Sequence, residues 1–134
     1  MRVDRGQSVA RMTGMLTVLA GCSATTGPGD TVCTAIAVAS VVVTIRDAQT
    51  GEPLAAHAAG AIRSGTYADS LRPSRTDVTG RLVSLQGGIE QTGDFVVTVR
   101  APAYQLWQRA DVRVLRGVCH VMTVELEAQL EPQP

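Results

Sequence analysis

Between residues 122 and 130 the chain alternates apolar and polar side chains at every step. Such a segment has few ways to fold. Met122, Val124, Leu126, Ala128 and Leu130 form one set, and Thr123, Glu125, Glu127 and Gln129 form the other. A period of two puts one set on each face of a β-strand, whereas a helix would scatter both around its surface. Strands with two unlike faces suit an antiparallel sheet that is packed on one side and wet on the other.

The pattern recurs upstream. Val41, Val43 and Ile45 oppose Val42 and Thr44, while Phe95, Val97 and Val99 oppose Val96, Thr98 and Arg100. Val112 and Val114 mark a short strand, and Leu82, Val83 and Leu85 mark another. Residues 56–71 hold two weak strands around Ser64 and Gly65. Turn chemistry separates these runs at residues 47–51 with Pro53, 77–80, 86–88, 92–94 and 101–102. The alanines of 55–61 carry no apolar stripe, and Pro53 and Gly60 argue against a helix there. Six or seven short strands with regular turns predict an all-β sandwich. Aromatics are only 3% of the 134 residues, so its core must be aliphatic, and a chain of this length holds one such domain.

The first 22 residues stand apart from this pattern. Arg2, Arg5 and Arg11 form a basic leader with Asp4, followed by an apolar stretch over 12–19. That stretch is shorter than the roughly 20 apolar residues a bilayer span requires. It ends in Leu19-Ala20-Gly21-Cys22, which resembles the lipobox of bacterial lipoproteins: an aliphatic residue, two small ones, then a cysteine. The resemblance implies that residues 1–21 are a signal peptide and that Cys22 is acylated and becomes the new N-terminus. Residues 22–34 would then be the lipidated start and a flexible tether, since Ser23-Ala24-Thr25-Thr26-Gly27-Pro28-Gly29-Asp30 has little apolar surface to bury. The expected location is the cell envelope, lipid-anchored, with Ser23 pointing to the periplasmic side of the outer membrane. An ordinary signal peptide, or a frayed N-terminal helix, with Cys22 incidental is the alternative.

Three further motifs carry a second resemblance. Thr44-Ile45-Arg46-Asp47-Ala48-Gln49-Thr50-Gly51-Glu52-Pro53-Leu54 resembles the first hairpin of carboxypeptidase regulatory-like domains. Thr76-Asp77-Val78-Thr79-Gly80-Arg81-Leu82 is similar to that family's Thr-Asp-x-x-Gly-x-hydrophobic turn. Gly93-Asp94-Phe95, running on to Pro102-Ala103-Tyr104, is similar to its Gly-x-aromatic strand and following turn. The resemblance implies a seven-stranded Greek-key β-sandwich of transthyretin (prealbumin) type over residues 35–131, ahead of a tail at 132–134. In physical terms, Gly51 and Gly80 supply positive φ, and Asp47 and Asp77 can bond their own backbone nearby.

With Cys22 assigned to lipid, Cys33 and Cys119 read as one disulfide in an exported chain. Parity is a complication, because Cys119 falls in the outward set of the last strand while Cys33 shares the parity of inward Val41. A bulge, or a Cys33 outside the regular strand, is then required. His57 and His120 have no second histidine at ligand spacing and read as surface or strand-edge residues, so no metal is expected. Asp77 and Asp94 read as turn formers.

Residues that would carry known chemistry on this fold are missing. Purine-catabolic hydrolases with a transthyretin-like fold use a histidine before the first hairpin and a C-terminal Tyr-Arg-Gly-Ser. Here those stretches read Val42-Val43-Thr44 and Leu130-Glu131-Pro132-Gln133-Pro134. No Gly-x-Ser-x-Gly occurs, and no His-x-x-Glu pair of a zinc carboxypeptidase. Twelve arginines balance twelve acids without clustering, which leaves no electrostatic footprint for nucleic acid. Tyr104 and Trp107, near Arg100 and Arg109, form the one candidate ligand surface, as a stacking platform for a sugar or peptide.

The expectation is a non-catalytic, lipid-anchored envelope module without cofactor. Its partners would be the membrane, through the anchor, and an envelope protein, peptide or glycan. The alternatives are a carbohydrate- or peptide-binding module and, last, a small hydrolase. The hydrolase would need a cleft joining His57 or His120 to a carboxylate and a nucleophile.

Overall fold

A run of β-branched residues makes β1 (Ala39–Asp47), and its burial on both faces places it inside a sheet. The computed structural model describes Gly29 and residues 31–134. The signal-peptide and lipidation assignments, and the tether up to residue 28, lie outside the described residues.

β1 pairs antiparallel with β5 (Ser84–Ile89) and parallel with β8 (Val124–Leu130). A parallel pair cannot be closed by a hairpin. The chain builds the whole second sheet between them, from β2 (Ala59–Ser64), β3 (Tyr67–Ser70), β6 (Gly93–Arg100) and β7 (Trp107–Val114). With β4 (Arg72–Pro73), the result is two four-stranded sheets, ordered β4-β5-β1-β8 and β3-β2-β6-β7. The fold is an all-β sandwich.

The core between the sheets is aliphatic, as composition requires. Val41, Val43, Ile45, Ala128 and Leu130 from one sheet meet Ile62, Val97, Val99, Val112 and Val114 from the other. Phe95 is the largest fully buried side chain, and Tyr67 meets its ring edge-on at 6.1 Å between centroids. The inward set of β1 and that of β6 are those expected from alternation. β2 and β3 flank Ser64 and Gly65, also as expected.

Four details differ. Eight strands are present rather than seven, because β4 adds a two-residue edge. The strand expected at Leu82–Leu85 begins only at Ser84 and runs through 86–88, which had read as a turn. Those glycines serve close packing instead. A Cβ on Gly87 would sit 2.8 Å from Leu71 Cδ2, and one on Gly88 2.6 Å from Ile62 Cδ1. The next turn therefore falls at Glu90, which has φ 54°, and β6 already begins at Gly93, inside the turn expected at 92–94. Finally, Met122 is exposed and Val121 buried, because β8 starts at Val124 and the pairing of Arg116 with Val121 breaks the parity before it.

The end of the chain is held as well. Pro132 bridges Tyr104, and the Gln133 N–H donates to the Ala103 carbonyl at 2.9 Å. β7 carries a bulge opposite Phe95–Val97, with Asp111 at φ 57°, which interrupts its outer edge.

Candidate functional site

Ionisable side chains gather at both ends of the sandwich, and β1 joins the two. At its start, Cys33 and Cys119 form a disulfide with Cα atoms 5.2 Å apart. Both cysteines lie outside the strands, so the parity that seemed to oppose the pairing does not apply. The bond suggests an oxidising, extracytoplasmic compartment.

This bond joins the residues immediately before Thr34 and His120. Thr34 Oγ1 lies 3.1 Å from His120 Nε2, and His120 Nδ1 lies 2.8 Å from Glu90 Oε1. A proton on Nδ1 satisfies both contacts, with the imidazole donating to Glu90 and accepting from the Thr34 hydroxyl. Glu90 Oε1 also accepts the Val38 N–H at 2.9 Å. Its Oε2 accepts from the Val121 N–H at 3.3 Å and from Arg116 Nη1 at 3.2 Å. The Val38 N–H, together with His120 and Val121, holds the Glu90 carboxyl below its ordinary range against the opposing effect of desolvation. The cluster borders a shallow hollow of about 340 Å³ whose wall includes Ile36 and Cys119.

Of these residues, sequence reasoning named His120 and the two cysteines. It missed Thr34, Glu90 and Arg116. No local motif marks them, because the contacts span 26 to 86 positions in the chain.

At the far end of β1, Asp47 builds the first turn. Its Oδ1 accepts the N–H groups of Gln49 and Thr50 at 2.7 and 2.9 Å, and Oδ2 accepts the Tyr104 hydroxyl at 2.6 Å. The Tyr104 bond, ahead of the two backbone bonds, lowers the Asp47 pKa, and the same contact raises that of Tyr104. Asp77 organises its turn in a similar way, accepting from the Thr79 hydroxyl and from the backbone N–H groups of Thr79 and Arg81. Asp94 pairs across the strands with Arg113 at 2.8 Å. His57 is exposed at the end of a single 3-10 turn and is in none of these contacts.

The two aromatics of the candidate ligand surface pack inward. Tyr104 and Trp107 are each half-buried against the core, with Trp107 opposite Val99. A separate groove of about 790 Å³ runs beside them, lined by Ala59, Ala61, Arg63, Arg100, Leu106 and Gln108 among others. Among the described residues no three His, Cys, Asp or Glu side chains gather as a metal site. No helix among them is long and apolar enough to cross a membrane.

No family model matches the chain, and no curated protein matches it.

Proposed function

We propose that this chain is an exported, lipid-anchored module of the cell envelope that works through binding or structural contact rather than catalysis. The observation that carries the reading is the Cys33–Cys119 disulfide, which closes an 86-residue loop just beyond the Gly- and Pro-containing tether. The Leu19-Ala20-Gly21-Cys22 motif supports acylation of Cys22. The three motifs similar to carboxypeptidase regulatory-like domains agree with a transthyretin-type sandwich. Asp47, Asp77 and Glu90 spend their oxygens on turns and loops, which favours a structural use of these carboxylates.

Intact mass of the protein extracted from its native membrane, with and without reduction and alkylation, tests the reading. A chain starting at Cys22 with acyl mass, and two thiols alkylated only after reduction, is the expected result. A chain that keeps Met1, or is cleaved without lipid, would remove the anchor.

One observation favours a second reading. Thr34, His120 and Glu90 form a hydroxyl–imidazole–carboxylate chain, the relation that activates a nucleophile in acyl transfer. In an ester hydrolase the Thr34 oxygen would attack the carbonyl and pass its proton to His120 Nε2. The imidazole would return that proton to the leaving alcohol, and water would then release the acyl group. Turnover of p-nitrophenyl acetate that is lost in Thr34→Ala and in His120→Ala would favour this use. Equal rates in all three proteins would leave the trio as a clasp.

A further inference from the structure

Nine large apolar side chains are exposed among the described residues, and six of them sit at the disulfide end: Val32, Ile36, Ile89, Leu115, Val118 and Met122. They come from three chain segments tied to one another. Val32 and Val118 are the chain neighbours of the bonded cysteines and are 84% and 87% exposed. Ile36 lines the hollow that holds Cys119 and His120. The Met122 N–H donates to the Leu115 carbonyl at 2.8 Å. Ile89 precedes Glu90, whose carboxylate bonds both Val38 and Val121.

Two of these segments carry little charge. Residues 31–38 carry no charged side chain, and 114–124 carry only Arg116 and His120. Glu90, the carboxylate held among these segments, is paired with Arg116. Asp94, at the start of β6 on the same end, is paired with Arg113, and at the far end of β1 Asp47, Glu52 and Asp77 lie with Arg46 and Arg81.

We propose that the disulfide end of the sandwich rests on a lipid bilayer, with Val118 and its apolar neighbours set into the headgroup region. The inference rests on the lipid-anchor reading and gives it an orientation. Exposed apolar patches of this kind mark protein or membrane contacts. The described domain begins at Val32, inside the patch, and Cys22 precedes it by ten residues. At roughly 3.3–3.6 Å per residue those ten reach at most about 35 Å, so an acyl chain on Cys22 keeps this end close to the surface. The carboxylates at this end, Glu90 and Asp94, are paired with Arg116 and Arg113, so the face meets anionic phosphates without net repulsion.

The test uses the full chain with Val118→Trp in a Trp107→Phe background, mixed with vesicles of phosphatidylethanolamine and phosphatidylglycerol brominated in their acyl chains. Val118 is exposed, so the substitution leaves the core intact. The wild-type chain, with Trp107 at the far end of β6, is the control. Intact mass is measured on the same samples.

Several-fold stronger bromine quenching of Trp at position 118 than of Trp107 is expected. Acylated protein with equal quenching at the two positions would overturn the docking surface and leave the anchor standing. Unacylated protein that is still quenched selectively at 118 would support the surface and remove the anchor. Unacylated protein with no selective quenching would overturn both. A 118 signal that follows protein concentration and ignores lipid would overturn the bilayer in favour of a second copy of the chain.

Discussion

The Tyr104 hydroxyl donates to Asp47 Oδ2 at 2.6 Å, joining the turn after β6 to the end of β1 across 57 positions of sequence. Both residues belong to motifs that looked separate in the chain, one a hairpin and one a possible ligand platform. Tyr104→Phe removes the donor and keeps the ring in the core. It should lower Tm by a few degrees. Asp47→Asn should cost more, because it also weakens the acceptor for Gln49 and Thr50. In thermal melts the double variant should fall short of the summed single effects. Strict additivity would mean that the two residues do not communicate.

The same contacts set the pH range of stability. Asp47, Asp77, Glu90, Asp94 and Glu125 all have carboxyls held below their ordinary values of 3.8 for Asp and 4.5 for Glu. A lowered folded-state pKa means that the unfolded chain takes up protons first. The stabilisation is therefore complete above those ordinary values and is lost as pH falls through the folded ones. Tyr104 shifts the other way, above 10.0, so its contribution is complete below that value and fades as pH rises through the folded one. Urea midpoints should be flat between these limits and fall on both sides. In Tyr104→Phe the alkaline decline should become shallower.

Leu71 closes one side of the core over Gly60 and Gly87. A Cβ on Gly60 would lie 2.5 Å from Leu71 Cδ1 and 2.9 Å from the Thr98 carbonyl oxygen. Gly60→Ala should then destabilise by about 1–3 kcal/mol, the usual range for overpacking. In denaturant melts Leu71→Ala should relieve part of that strain, so that the double variant loses less than the sum. The Thr98 backbone cannot yield in the same way, and relief should be incomplete.

Alternation made the inward faces of β1 and β6 legible, since burial on one side of a strand needs only a period of two. It failed where long-range packing decides. Gly87 and Gly88 read as a turn, yet they lie in a strand because Leu71 and Ile62, distant in sequence, need the room. Val42 belongs to the expected outer set but is buried, where its strand neighbours are Gln86 and Glu125. The disulfide followed from counting cysteines. Glu90 did not, because its four partners lie 26 to 52 positions away in the chain.

Thr123 shows how much such contacts alter a prediction. Its outward parity suggests a tolerant position like Glu125, but its hydroxyl donates to the Ala39 carbonyl at 2.7 Å. Thr123→Ala should cost about 0.5–1.5 kcal/mol. Val97→Ala, in the closed core, should cost about 1–3 kcal/mol. Glu125→Ala removes only an exposed pairing with Arg75 and should leave the denaturant midpoint nearly unchanged. A Glu125 effect as large as that of Val97 would reverse the assigned faces of the last strand.

The Cys33–Cys119 bond supports both stability and local order, and the two can be separated. Closing an 86-residue loop restricts the unfolded chain, which in the chain-entropy estimate is worth on the order of 4 kcal/mol. Cys33→Ser with Cys119→Ser should therefore lower the denaturant midpoint by a corresponding amount. The native-state consequence is local, because residues 31–37 are exposed and their described ties to the domain are few. Hydrogen exchange should speed up over 31–37 and at 118–120 in the double variant. The Val38 N–H should stay slower, since Glu90 still binds it. The interior of β6 should keep its protection under conditions where the variant stays folded. Uniform acceleration through β6 would mean that the disulfide holds the whole sandwich together rather than only the end that carries it.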